Sequence, residues 1–202
     1  MSLTLLAVQT LNGLQLGLLL FLVAAGLTLV FGVMDFINLA HGVQYMVGAY
    51  LAVAFYGVVA HFGLSLLLAL GASLAIGLVL EAAVYRHLYG RNHLDQVLAT
   101  FGIILMLTEG ADMIFGPAPL SLPAPEILGG AIPLMEGFGY PVYRVAVVLA
   151  GLGVAALLYG LVRHTRIGMR VRAGATDARM IGALGVDIER LFMGVFGFGA
   201  ML

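Results

Sequence analysis

The chain has 202 residues, 62% hydrophobic and only 9% charged, with a mean hydropathy of +1.11 and a formal net charge of −1. Soluble domains run at roughly 45–50% apolar and about 25% charged, so this composition excludes a soluble fold and makes lipid the solvent. The near-zero charge argues against a nucleic-acid partner, and the lack of Cys excludes disulfides, thiol chemistry and thiolate metal sites.

The first thirty residues carry no basic n-region, and their apolar run is too long for a signal peptide. They read as a retained first span. Hydropathy places five complete spans at roughly 5–33, 44–62, 64–85, 95–115 and 143–162, with a sixth begun at about 191. The expected fold is all-α: a polytopic transmembrane helical bundle, one domain over residues 1–202. Small residues suit close helix packing, among them Gly13 and Gly17 in one GxxxG, Gly26, Gly77 and Gly151.

Between the first two spans the sequence FGVMDFINLAHGVQYMVG places Asp35, Asn38, His41 and Gln44 at intervals of three, which on a helix would line one face. Apolar residues lie between them, and Gly32, Gly42 and Gly48 let the backbone bend. Two readings stand. The stretch is a broken helix or re-entrant turn lining a cavity, where polar groups at membrane depth mark a pathway. Alternatively it lies at the membrane surface, where Asp and His cost little. Glu81, beside Tyr85 and Arg86, reads as a snorkelling or paired structural acid. Glu109 and Asp112 share a face near the outer end of the fourth span and suit either an exit path or an interfacial position. His61, His87, His93 and His164 fall at span ends without metal-ligand spacing and read as interfacial.

All six Pro lie between Gly116 and Pro141, which marks residues 116–141 as a long non-helical connection, with Glu126 and Glu136 leaving it non-basic. The length suits contact with an outside partner or a plain loop. Residues 163–190 form the one long polar stretch and hold six of the nine Arg. Arg86 and Arg91 lie in another odd-numbered connection, so eight of the nine fall on one side. The charge rule makes that side cytoplasmic and puts the N-terminus outside. Within the stretch, Ala173 to Val186 reads as a short amphipathic helix. Thr176 or Asp177 caps its start, Met180, Ile181 and Leu184 share a face, and Gly185 ends it. Such a helix suits docking in a partner's groove, and a solvated loop obeying the charge rule is the plainer reading. Leu191 to Leu202 is apolar but only 12 residues long, against the roughly 20 that a span needs, which leads us to expect a longer protein.

There is no Walker A motif and no Lys to complete one, no HExxH and no GxSxG. The expectation is a non-catalytic transport subunit without a cofactor of its own.

Two stretches together, GVMDFINLAHGVQYMVGAY and RIGMRVRAGATDARMIGALGV, resemble the permease subunits of branched-chain amino acid ABC importers. The family's "INFAHG"-like segment is matched by Ile37, Asn38, Leu39, Ala40, His41 and Gly42. Its cytoplasmic loop pattern is matched by Gly168, Arg172, Ala173, Asp177, Gly185 and Val186. Thr176 stands where Glu is common, Gly182 where Ala is frequent, and Val186 where Ile is usual. The likeness is closer to the first of the two permease types of such systems. It implies an inner-membrane dimer with a second permease subunit, two cytoplasmic ABC ATPases that bind the ATP, and an extracytoplasmic solute-binding protein delivering a branched-chain or related amino acid. It further implies that residues 172–186 couple to the ATPase, through Gly168, Arg172, Ala173, Thr176, Asp177, Gly182 and Gly185. Asp35, Asn38, His41 and Gln44 would then line the translocation path. A secondary transporter or channel without an ATPase is the alternative.

Overall fold

A computed structural model describes residues 3–135 and 138–202. Seven helices account for most of them: α1 (Leu3–Met34), α2 (His41–Val59), α3 (Phe62–Ala83), α4 (His93–Phe115), α5 (Val142–His164), α6 (Arg166–Ala183) and α7 (Ile188–Met201). Among the described residues, five helices (α1 to α5) are long and apolar enough to cross a membrane.

The helix ends follow from local chemistry. Asp35 takes a left-handed conformation, φ 49°, and its N–H closes the last turn of α1 on the Phe31 carbonyl at 2.9 Å. Asp is one of the few residues that tolerate this region, so α1 stops there. Ala60, φ 52°, ends α2 in the same way. Side-chain caps start the later helices: His61 Nδ1 accepts from Leu64 N–H, Asn92 Oδ1 from Asp95 N–H, Thr165 Oγ1 from Gly168 N–H and Asp187 Oδ1 from Arg190 N–H.

The bundle is held by close approaches at small residues. α7 lies in a groove between α1 and α3. A Cβ on Gly77 would stand 2.5 Å from that of Ala200, one on Gly197 would strike Leu74 and Leu78, and one on Gly199 would meet Val30 and the Gly26 carbonyl. Gly151 brings α5 onto Leu18 of α1. Gly13 and Gly17, the GxxxG of the sequence, meet nothing within 4 Å and serve no contact within the described residues. At one end of the bundle an aromatic chain joins the α1–α2 break to the α3–α4 connection and to α7. Phe36 packs on Tyr85 and Tyr89 at 5.2 and 5.5 Å between centroids, Tyr85 on Phe196 at 4.8 Å, and Tyr89 on Phe192 at 5.5 Å.

Within the long connection of residues 116–141, strands β1 (Ala131–Met135) and β2 (Phe138–Pro141) pair antiparallel, with Ile132 opposite Tyr140, after a 3₁₀ turn at Glu126–Leu128. Pro133 sits inside β1, which a two-stranded ribbon permits because each strand is an edge. Glu136 lies outside the described residues. One sequence expectation needs correction, that of a short helix over Ala173 to Val186. The helix begins much earlier, at Arg166. It is broken at Asp177 (φ −159°, ψ 97°), so a longer Arg166–Thr176 segment precedes a short second turn.

The hairpin is tied to the far end of α1. Tyr140 is buried and donates its hydroxyl to Asn12 Oδ1 at 3.3 Å, and Arg144 of α5 donates to the same oxygen at 2.5 Å.

The α3–α7 contact has a direct test. Gly77→Val should lower the thermal midpoint in detergent by the equivalent of about 1–3 kcal/mol, the usual range for overpacking. Gly153→Val, which faces open space, should leave it nearly unchanged. Equal melting of the two would mean that α7 does not sit against α3.

Candidate functional site

The site grows from a backbone problem. Between Met34 and His41 the chain is not helical, so its N–H and C=O groups need partners other than the next turn. Two side chains of α4 supply them. Gln96 Oε1 accepts from Ile37 N–H at 3.1 Å, and its amide donates to the carbonyls of Leu88 and Arg91. Thr100 Oγ1 accepts from Leu39 N–H at 3.4 Å and donates to the Gln96 carbonyl at 2.8 Å. Asn38 Oδ1 accepts from Ala40 N–H, a local turn that aims the chain into α2. Gln96 and Thr100 are themselves buried. Sequence reasoning missed both, although a polar pair four apart inside an apolar span was a usable signal.

Of the four residues expected in this break, the structure brings three together. Asn38, His41 and Gln44 are 2%, 5% and 6% exposed, whereas Asp35 faces outward at the end of α1. His41 reaches inward against Gly26, where its Nε2 would stand 2.7 Å from an added Cβ. Its ring faces the Val23 backbone and the Gln44 side chain. The Gln44 amide lies between His41 and Tyr85 without good hydrogen-bond geometry to either. Asn38 Nδ2, His41 Nδ1, both Gln44 amide atoms and the Tyr85 hydroxyl are buried without a hydrogen bond among the described residues. An orphaned buried polar group costs about 1–3 kcal/mol, so these atoms destabilise the packing as it stands. The space beside Gln44, walled by Ser73, Gly77 and Ala200, measures only about 10 Å³. That is room for one water at most.

Glu81 is the paired structural acid of the sequence reading. It is almost wholly buried, accepts from the Tyr89 hydroxyl at 3.1 Å and faces Arg86 at 3.7 Å. Burial, reinforced by the Glu81 carboxylate, pushes the Tyr89 phenol well above its ordinary value and keeps it a donor. Glu109 and Asp112 are both on exposed positions of α4.

The second polar region begins where α5 turns into α6. Gly168 packs so tightly on the Leu161 and Val162 carbonyls that no Cβ could be added there. Arg172 donates to the Val162 carbonyl from above, and the Thr176 hydroxyl donates to the Arg172 carbonyl. Asp177 Oδ1 caps the short final helix through Met180 N–H at 2.9 Å. Gly185, φ 89°, turns the chain out of it, and Gly182 lies against Ile188. Thus Gly168, Gly182 and Gly185 are architectural, Ala173 is half-buried, and Arg172, Thr176 and Asp177 are exposed. Met180 and Leu184 point outward, 58% and 79% exposed, while Ile181 turns in and is buried. Gly174 carries the contact to the break: an added Cβ would meet Leu191, Ile181 and Val33 of α1.

The polar break after the first span and the capped helix lie at the same end of the bundle, joined through Gly174 and Val33. The family model for the permease component of branched-chain amino acid transport systems matches residues 9–202. The chain belongs to this permease family. Among curated proteins, the permease is similar to the high-affinity branched-chain amino acid transport system permease protein BraD of Pseudomonas aeruginosa, at 30% identity over 96% of this chain and 67% of that one. It is also similar to the LivH permease proteins of Salmonella typhimurium and Escherichia coli, at 27% identity over the same shares. No solved structure matches the chain significantly. With family and five apolar spans in hand, the permease is a multi-pass membrane protein of the all-α importer type.

Removing the hub tests the site's construction. Gln96→Leu should cut hydrogen-exchange protection of the Ile37 amide by about tenfold in micelles, as expected for a lost buried hydrogen bond. Leu98→Ala, on an exposed position of α4, should not. Unchanged protection in Gln96→Leu would show that the break is held by other groups.

Proposed function

We propose that this permease is the membrane subunit of an ATP-driven importer, with the N-terminus outside and α6 in the cytoplasm. It works with a second permease subunit, two cytoplasmic ATPases and an extracytoplasmic solute-binding protein, and carries a branched-chain or related amino acid. The relatives' names support the cargo class, and the arginine distribution supports the orientation.

The observation that carries the mechanism is the contact of Gly174 with Val33. The Asp177-capped helix docks on the ATPase through Met180 and Leu184. Ile181 and Gly174 join it to the inner end of α1, one turn from the break. A rigid-body shift of α6 therefore reaches Asn38, His41 and Gln44 through direct packing. Those three residues line the path. The cluster is sealed as described, and its unpaired polar atoms gain partners when the surrounding helices part to admit a solute or water. Gly168 and Gly185 set the position of the docking helix, with Arg172, Ala173, Thr176 and Gly182 supporting it.

Two outcomes follow. Met180→Glu together with Leu184→Glu should abolish co-purification of a P-loop ATPase with no loss of thermal stability, since both side chains are exposed. An undiminished ATPase yield would place docking elsewhere, and no ATPase with the parent chain would favour a secondary transporter. His41→Ala should lower solute uptake by at least about tenfold in proteoliposomes while the ATPases stay bound, a loss of more than about 1.4 kcal/mol. Full uptake would remove His41 from the path.

A further inference from the structure

One groove lies outside the break and away from Met180 and Leu184 of the docking helix. It runs between α1 and α5, has a volume of about 660 Å³, and is walled by Phe21 and Ala25 from α1 and by Ala155, Tyr159 and Arg163 from α5, with Arg172 closing one end. The α5 residues recur every fourth position, so they form one stripe, and Ala25 and Ala155 make it a trough. From Ala155 to Arg163 the helix rises about 12 Å, most of the roughly 15 Å half-thickness of a bilayer's hydrocarbon core. The cations are gathered at one end. Arg163 stands 5.7 Å over the Tyr159 ring, and Arg172 donates to the Val162 carbonyl in the last turn of α5. Both ion pairs found among the described residues lie elsewhere, at Arg86–Glu81 and Arg190–Asp187.

We propose that this groove binds one anionic phospholipid, its acyl chain along Phe21, Ala25 and Ala155 and its phosphate held by Arg163 and Arg172. The apolar part lies at membrane depth, where the occupant must itself be apolar. The charged part lies at headgroup level, where guanidinium groups without carboxylate partners call for an anion. Tyr159 joins the two zones, as aromatic residues do at a membrane surface. With the orientation proposed above the lipid belongs to the cytoplasmic leaflet; binding itself does not depend on that orientation or on the transport reading.

The test is native mass spectrometry of the full chain, released from micelles containing equimolar phosphatidylglycerol and phosphatidylcholine. The parent should retain phosphatidylglycerol about fivefold over phosphatidylcholine, in line with the worth of one arginine near an anionic headgroup. Arg163→Gln should bring the ratio close to one, and Ala155→Trp, which fills the trough but spares both arginines, should do the same. Arg163→Gln alters an exposed side chain, so it decides the matter even where Ala155→Trp does not fold. Arg179→Gln, outside the groove, should keep the parent's ratio. Equal retention of the two lipids by the parent overturns the proposal, as does an unaltered ratio in Arg163→Gln. A loss in Arg179→Gln as large as in Arg163→Gln would reduce the effect to diffuse surface charge. A lipid-free dimer would assign the groove to a second copy.

Discussion

The structure depends on how six non-helical residues satisfy their backbone. Once Asp35 turns left-handed, the segment to Ala40 loses the hydrogen bonds that a continuing helix would give it. Gln96 and Thr100 replace part of them from α4, and Asn38 replaces another part from within the segment. This ties α4 to the start of α2. It also fixes where His41 and Gln44 enter the bundle, and it places Phe36 against Tyr85 and Tyr89. The aromatic chain then carries the same constraint to α7. A lone backbone interruption thus organises four of the seven helices.

Much of this was legible in the sequence because its signals are long. Five apolar runs, set apart by a polar break, a histidine turn, an arginine-bearing connection and a proline-rich one, leave little freedom in the number of spans, and the described helices α1 to α5 follow those runs within a few residues. Asp177 as a cap and Gly185 as a terminator were also readable, since each rests on one residue's own conformational chemistry. The extent of α6 was not. Its first eleven residues carry three arginines, and hydropathy reads charge there while the cap at Thr165 and the packing of Gly168 decide the helix. The hairpin escaped for the opposite reason, because six prolines outweigh a short pairing that makes itself from two edges.

The site was legible in type and incomplete in detail. Spacing by three suggested one polar face, yet the break rotates Asp35 away from Asn38, His41 and Gln44. The supporting residues Gln96 and Thr100 come from α4, and no local pattern links them to the backbone they serve. Glycine was over-read in one place and under-read in another. Gly13 and Gly17 form the motif yet meet nothing, Gly26 and Gly77 make the close approaches expected of them, and Gly197 and Gly199 make others that were not foreseen.

The helix α1 spans 32 residues without an internal break, a rod of about 48 Å. Asn12 fastens the hairpin and α5 near one end of it, and Val33 bears on Gly174 at the other. Because an intact helix is stiff along its axis, the two faces of the membrane are geared to each other through this single member. A tilt imposed from below must appear above as a sideways displacement of the hairpin, with no chain of intermediate contacts to lose it. With the orientation and partners proposed above, the surface that meets a delivery protein and the surface that meets a motor are the two ends of one lever.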